Sequence, residues 1–160
     1  MKLPELTDDE IRDWMAGPNI GRLGTINEDG TPRVTALWYL PEPDGTISLN
    51  TYEDNVHVEN IRRDPRVALL VDSSEQPYKS VHFNGRAEVA DEAATAEEIA
   101  RLYERYFDDQ QAATRYGEQL VAGGKRVSIR FMPEHKRSID FGKLGSGSLP
   151  LPWEQRRQWD

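Results

Sequence analysis

The chain has 160 residues, a formal net charge of −8, 37% hydrophobic and 30% charged residues, and no cysteine. That length suits a single domain, expected over residues 1–160, with a core worth burying, and the acidic balance excludes a nucleic-acid binder, which needs a basic footprint. No run of about 18 apolar residues exists to span a membrane, and the absence of cysteine excludes thiol chemistry and fits the cytoplasm.

The N-terminal stretch MKLPELTDDE lacks an apolar signal region. Thr7-Asp8-Asp9-Glu10 is a capping box that predicts a helix over about 8–16, with Ile11, Trp14 and Met15 on one face as a lid on the rest of the fold. Ile20 to Ile26 reads as a strand with glycines at 21 and 24, followed by a hairpin turn at Asn27-Glu28-Asp29-Gly30. Arg33 to Leu40 reads as the second strand, with Val34, Ala36 and Trp38 on one face and Thr35, Leu37 and Tyr39 on the other. Ile47 to Thr51 follows as a third, and the three predict an antiparallel meander.

The segment from Thr51 to Asp72 is the most informative. Glu53, Asp54 and Asn55 are helix-start residues, and Arg62 and Arg63 suit the last turn of a helix over 55–63. Asp64-Pro65 ends that helix, and Val67 to Val71 is a continuous apolar run of strand length. A helix start that follows a strand end leaves unpartnered N–H groups, which suits an anion.

Beyond it, Ser73 to Lys79 is a polar loop, and Ser80 to Ala90 alternates as a long strand with Val81, Phe83, Gly85, Ala87 and Val89 on one face. Thr95 and Glu98 form a second capping box, and Ile99, Leu102, Tyr103, Tyr106 and Phe107 make an amphipathic stripe. A helical piece over about 112–121 stops at Gly123-Gly124. Val127, Ile129 and Phe131 alternate on a last strand, which Ser138 to Phe141 continues beyond a kink at Pro133. The tail, about 142–160, is rich in Gly, Pro, Ser and Trp and suits either a flexible arm or a segment ordered against a partner. Six strands with helical inserts predict a mainly β, α+β architecture closed into a small barrel.

The pieces IGRLGTINEDGTPRVTALWYL, ISLNT, NIRRDPRVALLV and VHFNGRAEV, in that order, cover about half the chain. With them the chain resembles the FMN-binding split β-barrel superfamily of pyridoxamine 5′-phosphate oxidase and the flavin- or deazaflavin-dependent reductases. The resemblance implies a six-stranded antiparallel split β-barrel, a homodimer, and a pocket for FMN or coenzyme F-420. It places Thr35, Leu37 and Trp38 along the ring and Thr51 at the phosphate. Where related reductases commonly read Lys-x-Arg-Asn-Leu, this chain reads His57, Val58, Glu59, Asn60 and Ile61. His57 and Asn60 are thereby implied as cofactor contacts, and the usual basic pair is replaced by His57 and Glu59. Arg33, Arg62, Arg63 and Lys79 are the cations that could substitute. Residues 57 and 59 are expected to be solvent-accessible on a helix edge, so that basic residues there would tighten phosphate binding.

No protein acid or base is assigned, since a flavin or deazaflavin carries the hydride itself. The three histidines, 57, 82 and 135, lack ligand spacing, so no metal site is expected. Nor is there a Gly-x-Ser-x-Gly elbow for hydrolysis. Two function classes follow from the resemblance. One is an FMN- or coenzyme F-420-dependent oxidoreductase acting on a small organic substrate. The other is a split-barrel binding protein for haem, another tetrapyrrole or a lipid-like ligand.

Overall fold

The computed structural model describes residues 3–144. Its elements run α1 (Asp8–Ala16), β1 (Gly21–Ile26), β2 (Pro32–Leu37), β3 (Tyr39–Pro41), β4 (Ile47–Tyr52), α2 (Val56–Arg63), β5 (Arg66–Asp72), β6 (Lys79–Val89), α3 (Ala96–Tyr103), α4 (Gln110–Ala122) and β7 (Arg126–Asp140). Both predicted capping boxes are present. The Thr7 hydroxyl accepts from the Glu10 N–H while Glu10 accepts from the Thr7 N–H, and Thr95 and Glu98 do the same.

The strands form one antiparallel sheet in the order β2-β1-β5-β6-β7-β4-β3, a split-barrel-like α+β fold. Seven strands replace the six expected from the sequence. The stretch read as one strand over 33–40 breaks at Trp38 into β2, which pairs with β1, and β3, which pairs with β4. The expected meander is therefore two hairpins, one at each edge of the sheet. Side-chain hydrogen bonds make the break possible. The Tyr39 N–H donates to the Tyr106 hydroxyl at 3.1 Å, and the Tyr39 carbonyl accepts from Arg105 Nη1 at 2.9 Å. These partners replace the ladder bonds that the backbone would otherwise lack.

The last strand also differs from expectation. β7 runs through Pro133 without interruption, and the irregularity is a bulge: Asn84 pairs with His135 and Gly85 with Pro133, so Glu134 is the extra residue. A Cβ at Gly85 would lie 2.1 Å from the Met132 carbonyl oxygen, so only glycine fits opposite the bulge.

Two cores result. The main one holds α1, α2 and the inner sheet face, with Leu23, Tyr39, Leu49, Val58, Leu69 and Phe131 fully enclosed. The second packs Ile99, Leu102 and Tyr103 of α3 with Trp38, Tyr106, Phe107 and Tyr116. The predicted stripe is thus real, although α3 ends at Tyr103 and Tyr106 lies in a 3-10 turn, Glu104–Tyr106. Among the described residues no helix is long and apolar enough to cross a membrane. Of the predicted tail only Gly142, Lys143 and Leu144 are described, in a 3-10 turn. Trp153 and Trp159 lie outside the described residues.

The bulge gives a direct test. Gly85→Ala should destabilise the chain by about 1–3 kcal/mol, the usual range for overpacking. It would be read as a lower urea midpoint at unchanged slope.

Candidate functional site

Alternation along β2 points Arg33, Thr35 and Leu37 to the same side as their β1 partners Thr25, Leu23 and Gly21. The three span roughly 13 Å at about 3.3 Å per residue. At the Leu37 end lies a cavity of about 290 Å³ lined by Leu37, Trp38, Thr51, Tyr103, Tyr116 and Arg126, among others. At the Arg33 end lies a second recess, about 530 Å³, lined by Arg33, Val56, Glu59, Asn60 and Arg63 with the Asn27–Asp29 turn. The β2 shelf therefore runs from one recess to the other. Thr35 Oγ1 between them is buried and has no hydrogen-bond partner among the described residues. A buried hydroxyl left unpaired costs about 1–3 kcal/mol, so a polar ligand atom there would be favoured.

Thr51 is the penultimate residue of β4 and is buried. Its Oγ1 accepts from Asn55 Nδ2 at 2.7 Å and lies 3.0 Å from His57 Nε2. His57 is only 3% exposed, which corrects the expectation that it stands on a solvent-facing helix edge. The helical period of α2 puts His57, Val58, Asn60 and Ile61 on its buried face. A lysine at 57 would bury an ammonium there, which is unfavourable without a counter-charge. Glu59, by contrast, is exposed.

Burial, and secondarily the Arg33 charge, hold the His57 pKa below its ordinary value, so the imidazole is neutral at pH 7. Its tautomer then decides what Thr51 can do. With the proton on Nε2, Thr51 accepts from both His57 and Asn55 and keeps its own proton for a ligand oxygen. With the proton on Nδ1, the Thr51 hydroxyl donates to Nε2 and has no donor left.

Asn60 is a bracket. Its Nδ2 donates to Thr25 Oγ1 at 3.1 Å and Asn27 Oδ1 at 2.9 Å, and its Oδ1 accepts from Arg63 Nη2 at 3.1 Å. Both amide protons are used in tying α2 to β1, so Asn60 borders the recess without a donor to spare. Lys79 lies apart from the other predicted residues. It pairs with Asp140 at one end of β7, whereas Thr51 pairs with Val127 at the other. Its ammonium is 3.5 Å from the Asp140 carboxylate. Trp38 lines the cavity, but one face of its indole is covered by Tyr106, stacked at 4.5 Å between centroids. Arg126, Tyr103 and Tyr116 were not expected here. Position 126 falls out of phase with the inward alternation of 127, 129 and 131, and only the covering helices bring it into a site.

A family model described as pyridoxamine 5′-phosphate oxidase matches residues 7–140. A conserved hypothetical protein from Mycobacterium tuberculosis is 30% identical over 98% of this chain and 100% of its own, with a TM-score of 0.77. An F-420 reductase matches at 23% identity and a TM-score of 0.62, over 78% of this chain and 94% of its own. The haem storage protein HutZ from Vibrio cholerae matches at 17% identity and a TM-score of 0.60, over 84% of this chain and 92% of its own. The last two likenesses concern the fold.

The neutral histidine has a measurable consequence. Proton NMR should show His57 titrating below about 6.5, and Arg33→Ala should move that titration upward without abolishing the depression. With the folded pKa below the unfolded one, the unfolded chain binds the proton first. The contribution to stability is therefore complete above about pH 6.5 and falls as the pH drops toward the folded pKa. Replacing His57 by Gln should flatten the stability profile in that window.

Proposed function

Because the chain belongs to the pyridoxamine 5′-phosphate oxidase family, we propose that it is a cytoplasmic oxidoreductase that uses FMN or coenzyme F-420 and acts on a small organic substrate. The observation that carries this reading is the Thr35 hydroxyl, unpartnered among the described residues, on a shelf open at both ends to a recess. That shelf suits a long planar ligand with a polar edge. Leu37 and Trp38 would give it an apolar floor, and Thr35 would donate to its polar edge. Thr51, held by Asn55 and His57, would donate to an oxygen at its end. Arg33 would supply positive charge beside the first turn of α2, where Glu59 brings the opposite sign. When bound, the cofactor supplies the hydride chemistry. The protein binds and orients it and keeps water from one face. In this reading Asn60 and His57 position the site, and Lys79 does not reach it within one chain.

We further propose that the protein works as a homodimer. The outward face of the sheet presents Val34, 69% exposed, beside Gly24, Ala68 and Leu70. A broad concavity of about 1010 Å³ there is edged by Arg22, His82 and Arg137. An apolar centre with a polar rim is the anatomy of an interface. Light scattering should give a dimer mass, and Val34→Asp should shift it toward the monomer while the circular dichroism spectrum is kept.

Titration of the purified protein with FMN and with coenzyme F-420, followed by fluorescence, tests the cofactor assignment. Saturable binding of one of them, with turnover of its reduced form by an added acceptor, is expected. Failure of both to bind, together with a Soret band on adding haem, would move the chain to the binding-protein class. Thr35→Val gives effects of opposite sign. Removing the unpaired hydroxyl should raise the melting temperature slightly, and loss of one hydrogen bond should weaken cofactor binding by about two- to tenfold.

A further inference from the structure

The face of the sheet beneath α3 and α4 holds a positive charge with no counter-charge among the described residues. Arg126 is the only buried arginine among the described residues, 6% exposed. Its Nε donates to Asn50 Oδ1, and its Nη2 donates to the Asn50 carbonyl at 3.0 Å and to the Tyr103 hydroxyl at 2.9 Å. The Tyr52 ring lies 4.5 Å from the guanidinium carbon. Burial pushes the Tyr103 phenol above its ordinary pKa, so Tyr103 meets Arg126 as a neutral hydroxyl. Every partner is thus a neutral dipole or a ring. Among the described residues no carboxylate pairs with Arg126, whereas the exposed Arg12, Arg62, Arg66, Arg101, Arg115 and Arg130 each have one. Nη1 has no hydrogen bond among the described residues. A buried charge without its opposite is expensive. This one lines the cavity that also reaches Trp38, Thr51 and Tyr116.

We propose that Arg126 is the anion-recognising residue of a subsite for a small oxyanion, a phosphate or a carboxylate group carried by a ligand of this cavity. A guanidinium already held by Asn50 and Tyr103 is preorganised, so little side-chain freedom is lost when an oxyanion docks. Thr51 adds a hydroxyl to the same cavity, and Trp38 and Tyr116 supply flat apolar walls. The subsite offers its cation at the Leu37 end of the shelf, whereas Glu59 lines the recess at the Arg33 end. It takes an oxyanion whichever molecule carries it, so the inference holds independently of the redox assignment.

The test uses the full chain with arginine ¹⁵N-labelled, titrated with inorganic phosphate, then with FMN and with riboflavin, which lacks the phosphate. Phosphate should shift the Arg126 Nε–H signal in a saturable way before the signals of surface arginines move. Arg126→Met should abolish phosphate binding by calorimetry, and Arg126→Lys should weaken it by about tenfold or more, because a single ammonium cannot keep the Asn50 and Tyr103 bonds and also present the Nη1 donors to the anion. If Arg126→Met does not fold, the wild-type signal and the lysine variant decide the matter. Phosphate that displaces FMN but not riboflavin would place the cofactor's phosphate in the subsite. Phosphate and FMN bound together would assign the subsite to a second, anionic ligand. Phosphate binding at Arg126 without FMN binding would keep the subsite and remove the FMN assignment. An Arg126 signal unmoved by phosphate, or a folded Arg126→Met variant that binds phosphate as tightly as the wild type, would overturn the proposal.

Discussion

Trp38 carries the chain from one edge of the sheet to the other, and most of the architecture depends on that single-residue crossing. β2 and β3 are the outermost strands on opposite sides, yet only Trp38 separates them. The covalent chain therefore draws the two edges together, and the sheet must curl. A ladder cannot continue through such a residue, so its neighbours need other partners. Tyr106 and Arg105 supply them, and the Trp38 ring is held by Tyr103, Tyr106, Phe107 and Tyr116 with centroids 4.5–6.0 Å away. Burial of that much aromatic surface offsets the lost ladder bonds.

The same crossing creates the site. Where β2 leaves β1 the sheet is no longer continuous, and the cavity of Leu37, Trp38, Thr51 and Arg126 occupies the opening. The helices α3 and α4, inserted between β6 and β7, roof it with Tyr103 and Tyr116. One aromatic cluster thus serves both closure of the fold and walling of the cavity. A change in Trp38 would disturb the two together, which makes it a poor probe of ligand binding.

Polar groups around the cavity fall into two kinds. Asn60 and Asn55 are committed to holding α2 against β1 and β4, and they set the position of Thr51 and His57. Thr35 and Arg126 are not fully committed: among the described residues, one has a hydroxyl without a partner and the other a charge without a counter-charge. Buried polar groups in folded proteins are normally satisfied, so the exceptions indicate where a ligand would complete the structure.

The local elements were legible in the sequence, because their signals are local. Thr7 with Glu10 and Thr95 with Glu98 mark helix starts through bonds three residues apart, Asp64-Pro65 stops α2 by sterics, and the period-two pattern of residues 81–89 defines the buried face of β6. The family was legible as well, from motifs in their expected order. The break at Trp38 was not, since residues 33–40 alternate without a turn residue and the partner of Tyr39 comes from Tyr106, 67 positions away. Burial of His57 was equally hidden, because helix periodicity allowed it either face until β4 supplied Thr51. Arg126 stands on the strand face that alternation alone would leave in water, and only the tertiary packing of α3 and α4 over it turns a surface cation into a buried one. Short-range sterics and hydrogen bonds are written in consecutive residues. Which face is covered, and by what, is decided by elements distant in the chain.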